Sequence, residues 1–483
     1  MAIQDLFTKE LSVVNVGLEM FRDDLTHQDV KVRQVRFSPP AGGDETVLAA
    51  LDYLNRPEIA AKIEEANKTV VERILGSQPV LVGFDAAINV VPGMKENMII
   101  HAGPPIAYED MCGAMKGAVT GALVFEGLAA NLEEADKLAR SGAIEFSPCH
   151  EHAAVGSMAG VTSAHMYVHI VENKTYGNIS FTNLSEQLAK ILRFGANDQS
   201  VIDRLVWMRD VEGPILKEAM EICTAETGGI DLRLMLSQAL HMGDEAHNRN
   251  TAGTTLLLQA LTPYVLRTSF SLEQKLEFFN FVASSEYFSG PTWMAAAKNA
   301  LDAAHNVEYS TILTTMCRNG VEFGIRLSGM PGNTWFTGPA QFVVGPMFAG
   351  YTPADSGLDI GDSAITETFG LGAHCLAAAP ATTALIGGTI HDAIDICRRA
   401  YEITSAENPN ITIPFLNMRG IPTGIDLRKV LESGTLPTID TAIAHKDPGI
   451  GMIGAGITHP PMECFTKAAL ALAERIKGLE AKN

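Results

Sequence analysis

The sequence predicts an α/β chain: a mixed α+β body interrupted by an inserted all-helical domain, with a small N-terminal α/β module in front. Three observations predict it. Strand-like and helix-like runs mix between 79 and 185 and again after 311. Between 186 and 310, apolar residues recur at helical spacing with few β-branched runs. A separate strand–turn–helix pattern precedes residue 78. The expected units are therefore 1–78, 79–185 (body, first part), 186–310 (helical domain) and 311–483 (body, second part, with a closing helix).

In the first unit, residues 11–16 are a β-branched run and 30–37 alternate as a second strand. Pro39-Pro40-Ala41-Gly42-Gly43 makes a turn, and Asp44 can cap the helix that follows. Residues 60–75 form a charged amphipathic helix ending at Gly76, and 79–84 a strand leading to the Val91-Pro92-Gly93 turn. Strands are expected at 98–101 and 161–171, with a small-residue helix over 115–130. Glycine is dense from 311 to 457, where strands return, and 461–479 closes as a helix.

Charge and cysteine usage narrow the function classes. The net charge of −20 excludes nucleic-acid and anionic-membrane partners, which want a basic face, but leaves room for a small anion in a locally basic pocket. Seven scattered cysteines without Cys-x-x-Cys fit reduced thiols. The N-terminus lacks basic and apolar signal regions, and the most apolar stretch, 376–390, is broken by Pro380 and Gly387-Gly388. A cytoplasmic protein is expected.

Polar, glycine-rich islands at element ends carry the chemistry. The densest is His241-Met-Gly-Asp-Glu-Ala-His247-Asn-Arg249-Asn, flanked by leucine-rich helical runs. Burying such groups is costly unless each finds a partner, and a site for a polar ligand provides one. Its bland reading is a self-capping helix end. The others are His101 through Lys116-Gly117; Pro148-Cys-His150-Glu-His152; Arg318-Asn319-Gly and Gly-Ile-Arg326; Gly361-Asp362-Ser-Ala-Ile-Thr-Glu367-Thr-Phe-Gly370; and His445-Lys446-Asp-Pro-Gly449-Ile-Gly451 through Gly456.

In the last island a strand-like 441–444 precedes four spaced glycines, and a helix is expected after them. A dinucleotide fold would need a further strand with a terminal acid, which does not follow. A single phosphate cradled by Gly449, Gly451 and Lys446 fits, and so does a plain turn. Read as a strand, His150 and His152 share a face. Asp244 and His247 are three apart on a helix, so His150 and His152 can join His241, Asp244 and His247 in a divalent metal site, with His150, His241 and Asp244 its leading candidates. No zinc signature is matched, no cofactor is firmly implied, and satisfied polar histidines are the alternative. Cys149 beside two histidines can be an activated thiolate or an inert buried thiol. Lys116, Arg249, Arg318, Arg326 and Lys446 supply positive charge for an anion. Neither a Gly-x-Ser-x-Gly elbow nor a Walker A loop is present, so serine hydrolases and P-loop NTPases drop out.

Taken in order, His101-Ala-Gly-Pro-Pro, Met115-Lys-Gly, Pro148-Cys-His, Met242-Gly-Asp-Glu, Arg318-Asn-Gly, the 361–370 run and Ala444-His-Lys resemble the YlbE-like family over roughly residues 80–475. That resemblance implies an AllG-type oxamate carbamoyltransferase subunit, working with an FdrA-type subunit and a third subunit in allantoin breakdown. The implied reaction converts oxalurate and phosphate to oxamate and carbamoyl phosphate, or is a paralogous one. Residues 9–50 instead resemble the C-terminal part of FdrA-type proteins. The Ser-x-Arg-Thr phosphate loop of aspartate and ornithine carbamoyltransferases is not matched.

Phosphorolysis of a ureide needs a held phosphate, donors for the oxyanion and an acid for the leaving nitrogen. On the residues alone, Lys446, Gly449 and Gly451 are assigned to phosphate and Arg318 or Arg326 to the substrate carboxylate. His101, His247 or His445 is assigned as proton donor. Glu367 is a further catalytic candidate, and Lys116, Arg249, Asn319 and Asp362 are binding candidates. Two alternatives stand beside this: a metal-dependent amidohydrolase-like enzyme, and a non-catalytic subunit needing an FdrA-type partner.

Overall fold

The structure, a computed structural model, describes residues 11–35, 39–187, 190–284 and 286–481. It is a mixed α/β molecule built on several small sheets. The largest has five strands in the order Ala154–Val155, Ile179–Asn183, Tyr167–Asn173, Pro79–Ala86, Ile230–Asp231. A second has four antiparallel strands, ordered Phe336–Pro339, Glu322–Leu327, Leu313–Asn319, Ile360–Gly361. Thr404–Ile413 pairs with Arg419–Ile425, and Ile439–Ala444 with Met452–Thr458, as antiparallel hairpins. Met98–His101 and Glu145–Pro148 lie parallel.

Helix Gly290–Ala303 joins the halves. It starts with Pro291 in its first turn, where the missing N–H costs nothing, and it continues Trp-Met-Ala-Ala-Ala. Ala295–Ala297 are buried together, so the strands Tyr167–Asn173 and Ile179–Asn183 and the helix Ile365–Phe369 approach its backbone closely. Helices fill much of 199–303, as the periodicity predicts.

Helices Glu45–Leu54 and Pro57–Gly76 belong to a core shared with the four-stranded sheet and the closing helix Met462–Glu480; Leu51, Leu54 and Ile63 pack there with Phe323, Ile325 and Phe465. Ahead of them, Ser12–Val16 and Lys31–Val35 pair in parallel around Glu19–His27. The expected second strand extended to 37, and its residues 36–37 lie outside the described residues.

Four local expectations are corrected. The strand expected from 161 begins at Tyr167. Residues Cys149–His152 form a 3-10 turn, so His150 and His152 do not share a strand face. Asp244 and His247 lie in a loop between helices Leu232–His241 and Thr251–Val265, not on a helix. The glycine-rich loop expected through Gly456 ends early, since Met452–Thr458 is a strand, and the expected helix follows it at Met462–Glu480. Among the described residues no helix is long and apolar enough to cross a membrane.

Candidate functional site

The polar run 242–250 folds around one buried carboxylate. Glu245 accepts from the backbone N–H groups of His247, Asn248 (3.2 Å) and Arg249 (2.6 Å) and from the Thr382 hydroxyl (3.2 Å). Asp244 accepts from Ala252 N (3.2 Å) and Gly253 N (2.8 Å), giving otherwise unpaired amide donors at the start of the next helix an acceptor. The loop thereby holds out His247 and Asn248 at fixed angles.

His247 Nδ1 lies 2.8 Å from Glu367 Oε1 and 3.7 Å from Asp440 Oδ1, and Asn248 Nδ2 donates to Asp440 Oδ2 at 3.2 Å. Glu367 comes from the short helix Ile365–Phe369 and Asp440 from the strand Ile439–Ala444. Both carboxyls are fully buried. Burial disfavours every charged form here. It pushes Glu367 up to about 7 and Asp440 up to about 8, and it holds the His247 ring down at about 4. The group carries protons on carboxyl oxygen more readily than on imidazolium.

Arg318 locks the neighbouring strands together. Its guanidinium meets Asp359 through both Nε (2.7 Å) and Nη2 (2.8 Å), the fork geometry that suits carboxylate. It also donates to the Gly361 carbonyl (2.8 Å), Ser363 Oγ (3.3 Å) and Thr441 Oγ1 (3.0 Å).

Beside these groups opens a pocket of about 110 Å³. His247, Asn248, Asn250, Ser363, Thr441, Ser157, Ser185, Arg193 and Tyr287 are polar residues of its lining; Met158, Phe194, Met294 and Met452 add apolar surface. Since Glu367 occupies His247 Nδ1, Nε2 is the ring nitrogen left for a ligand. Arg193 is held by Glu186 (Nε to Oε1, 3.1 Å) and by Ser157 Oγ. Its turn, Leu192–Phe194, docks on the helix Gly113–Phe125 because Gly117 lacks a side chain; a Cβ there would lie 2.3 Å from the Gly195 carbonyl oxygen.

The remaining candidates divide between two places. On the opposite face of strand Leu313–Asn319 is a second buried group of His150, Cys317 and Asp362. Asp362 accepts from Gly103 N (2.7 Å) and Gly156 N (3.0 Å), and burial pushes it up to about 7. Arg326 sits near this group, bonded to the Gly332 carbonyl (2.8 Å) over the Trp335 ring, and not beside Arg318. Cys149 is fully buried, which raises its thiol pKa well above the usual value and fits the inert thiol better than the thiolate. His101, also buried, turns Nδ1 to the Ala102 carbonyl (2.8 Å). Asn319 closes the strand turn through Val321 N (3.0 Å) and Glu322 N (2.7 Å).

Other candidates lie at the surface or in turns. Lys116 Nζ donates to the Glu109 carbonyl (2.7 Å), and Lys446 Nζ to the Ala354 carbonyl (2.9 Å). Arg249 Nε is 3.6 Å from Asp244. His445 Nδ1 accepts from Asp447 N (2.9 Å), Gly449 N donates to Gly195 (2.7 Å), and the Gly451 carbonyl accepts from His445 N (3.0 Å). Gly454 and Gly456, the last of the spaced glycines, serve packing: a Cβ at Gly456 would lie 2.3 Å from the Val344 carbonyl oxygen. The expected trio of His150, His241 and Asp244 is not assembled. His241 Nε2 meets Thr412 Oγ1 (2.8 Å) at the surface, Asp244 serves the next helix, and His150 faces Asp362.

Sequence reasoning missed Arg193 and Asp440. Arg193 stands in no polar island. Asp440 carried a usable signal, an acid inside the strand-like run Ile-Asp-Thr-Ala-Ile-Ala, since such a residue is rarely buried without a partner.

The model of the family described as oxamate carbamoyltransferase subunit AllG matches residues 144–363. The chain is 66% identical over 472 residues to the uncharacterised protein YahG of Escherichia coli strain K12, covering 98% of this chain and 99% of YahG. It is 40% identical over 414 residues to AllG, an oxamate carbamoyltransferase subunit of the same organism, covering 85% of this chain and 98% of AllG. A crystal structure of a conserved protein of unknown function from Enterococcus faecalis V583 superposes with a TM-score of 0.85 at 68% identity, over 87% of this chain and 99% of that one. On these matches, the chain belongs to the family of the oxamate carbamoyltransferase subunit AllG.

Proposed function

We propose that this chain is the subunit that binds a small ureide or oxamate-like anion in a carbamoyltransferase-type enzyme. In this reading it works with an FdrA-type subunit and a third subunit. The observation that carries the reading is the pocket that sets the Arg193 guanidinium and His247 in one lining, with His247 backed by buried Glu367. A guanidinium suits the carboxylate of such an anion, and a carboxyl-backed imidazole suits a nitrogen that gains or loses a proton.

In the phosphorolytic direction, a phosphate oxygen bonds to the carbamoyl carbon. The bond from that carbon to the oxamate nitrogen breaks, and His247 Nε2 gives the nitrogen its proton. The ring recovers its proton at Nε2 from solvent through the pocket, while Glu367 at Nδ1 fixes the ring's orientation. In the reverse direction the same nitrogen of His247 takes the proton. Arg318 and Glu245 hold the strands and loop that position these groups. Asn248, Ser363 and Thr441 supply polar contacts for the oxyanion.

The test is carbamoyl phosphate formation from oxalurate and phosphate by the complex co-expressed with its partner subunits. His247→Gln should lower kcat by about a hundredfold or more, and Arg193→Met should mainly raise KM for the carboxylate substrate. Unchanged kinetics in both variants would remove this pocket from the reaction. An active complex in which both variants behave as the parent would favour the non-catalytic role for this chain.

A further inference from the structure

We propose that His247, Glu367 and Asp440 bind a divalent metal cation at the floor of the pocket, and that this cation anchors the substrate anion. The inference rests on reading the pocket as the substrate site. It adds a cofactor class, a hard or borderline divalent ion such as Mn2+, and a way of holding the ligand.

Four observations support it. One imidazole nitrogen and two carboxylate oxygens lie within 4.8 Å of one another, close enough for a single ion to reach all three, and these donor types suit such an ion. Asp440 Oδ1 is buried and finds no hydrogen-bond partner among the described residues, so one lone-pair site points into the group unused. The charge is one-sided: Glu245, Glu367 and Asp440 are all buried here, while the nearest buried guanidinium, Arg318, is already taken by Asp359. Finally, His247, Asn248 and Thr441 line the pocket, so the three donors lie directly beside it.

Outer partners of the kind that fix metal ligands are also present. Asn248 donates to Asp440 Oδ2 (3.2 Å), and Glu367 accepts from Ala373 N (3.2 Å) and from Thr366 Oγ1 (2.9 Å). The ion would use Nδ1 of His247 with one oxygen each of Glu367 and Asp440, so that Nε2–H still faces the pocket. An anion with a carboxylate next to an amide carbonyl can chelate such an ion through one oxygen of each group. An amide without the adjacent carboxylate cannot.

The experiment uses the full chain, stripped with chelator and titrated with Mn2+ by calorimetry, with electron paramagnetic resonance reporting bound ion. The parent should bind a single Mn2+, oxamate should change the spectrum of the bound ion, and acetamide should not. Glu367→Gln and Asp440→Asn should each weaken Mn2+ binding more than roughly tenfold. Mn2+ should raise the melting temperature of the parent and raise that of the variants less at the same concentration, a readout that stands if one variant fails to fold. The inference is overturned if the parent takes up none of Mn2+, Mg2+ and Zn2+, or if the folded variants bind Mn2+ as the parent does. Neither result touches the transfer reading, which is measured by turnover of the complex.

Discussion

Replacing Arg318 by methionine is the sharpest test of what holds the site together. The guanidinium is fully buried and gives Asp359 two hydrogen bonds, with three more to Gly361 O, Ser363 Oγ and Thr441 Oγ1. Methionine keeps much of the volume and removes every donor. Asp359, only 2% exposed, is left as an uncompensated charge. Breaking a buried pair from one side costs about 3–5 kcal/mol, a large share of a total stability of about 5–15 kcal/mol. The double variant Arg318→Met/Asp359→Leu removes both charges and should recover about 2 kcal/mol or more. It should not recover everything, because the Gly361 carbonyl and Thr441 stay without their donor. Urea unfolding of the parent, both single variants and the double gives the interaction energy directly. The reasoning is refuted if Arg318→Met costs less than about 1 kcal/mol, or if the double variant is no more stable than that single one.

Two further outcomes are expected. Glu212 is fully buried on the π-helical turn Met208–Glu212, its oxygens meet no hydrogen-bond donor among the described residues, and burial raises its pKa well above 4.5. Folded chains therefore keep a proton that unfolded chains lose, so its contribution to stability falls by about 1.4 kcal/mol per pH unit above 4.5 while the folded group stays protonated. Glu212→Gln should remove that slope, seen as a parent-minus-variant stability difference that becomes more negative as the pH rises above about 5; a difference that stays constant with pH would show the group is not held neutral. Gly103 has φ +83°, and a Cβ there would sit 2.4 Å from the Arg318 carbonyl carbon and from Asn319 N. Gly103→Ala should destabilise by about 2–4 kcal/mol in denaturant unfolding, and an unchanged midpoint would show that this strand crossing yields.

The sequence by itself determined the mixed α/β class, the helical stretch before 303, and most of the segments from which the site is built. Those properties are local: a period of 3.6 or 2, a cap, or a polar run between apolar ones survives without knowledge of the rest of the chain. His247 and Glu367 were legible for that reason, since each stands in a run of polar groups that burial would penalise unless they were partnered. Tertiary structure decided which groups meet. Arg318 and Arg326 look equivalent in the sequence, but the strand register pairs Arg318 with Phe323 and Arg326 with Thr315, sending the two to opposite faces of one sheet. His150 and His247 look like partners for one metal, yet the 3-10 turn at 149–152 buries His150 against Asp362 and Cys317. The spaced glycines after Lys446 look alike in the sequence, but Gly454 and Gly456 lie in a hairpin packed onto the 344–346 backbone. Arg193 and Asp440 reach the site only through contacts between distant segments, across Gly117 in one case and His247 in the other. No periodicity along the chain carries that information, because contact between elements is fixed by packing and register.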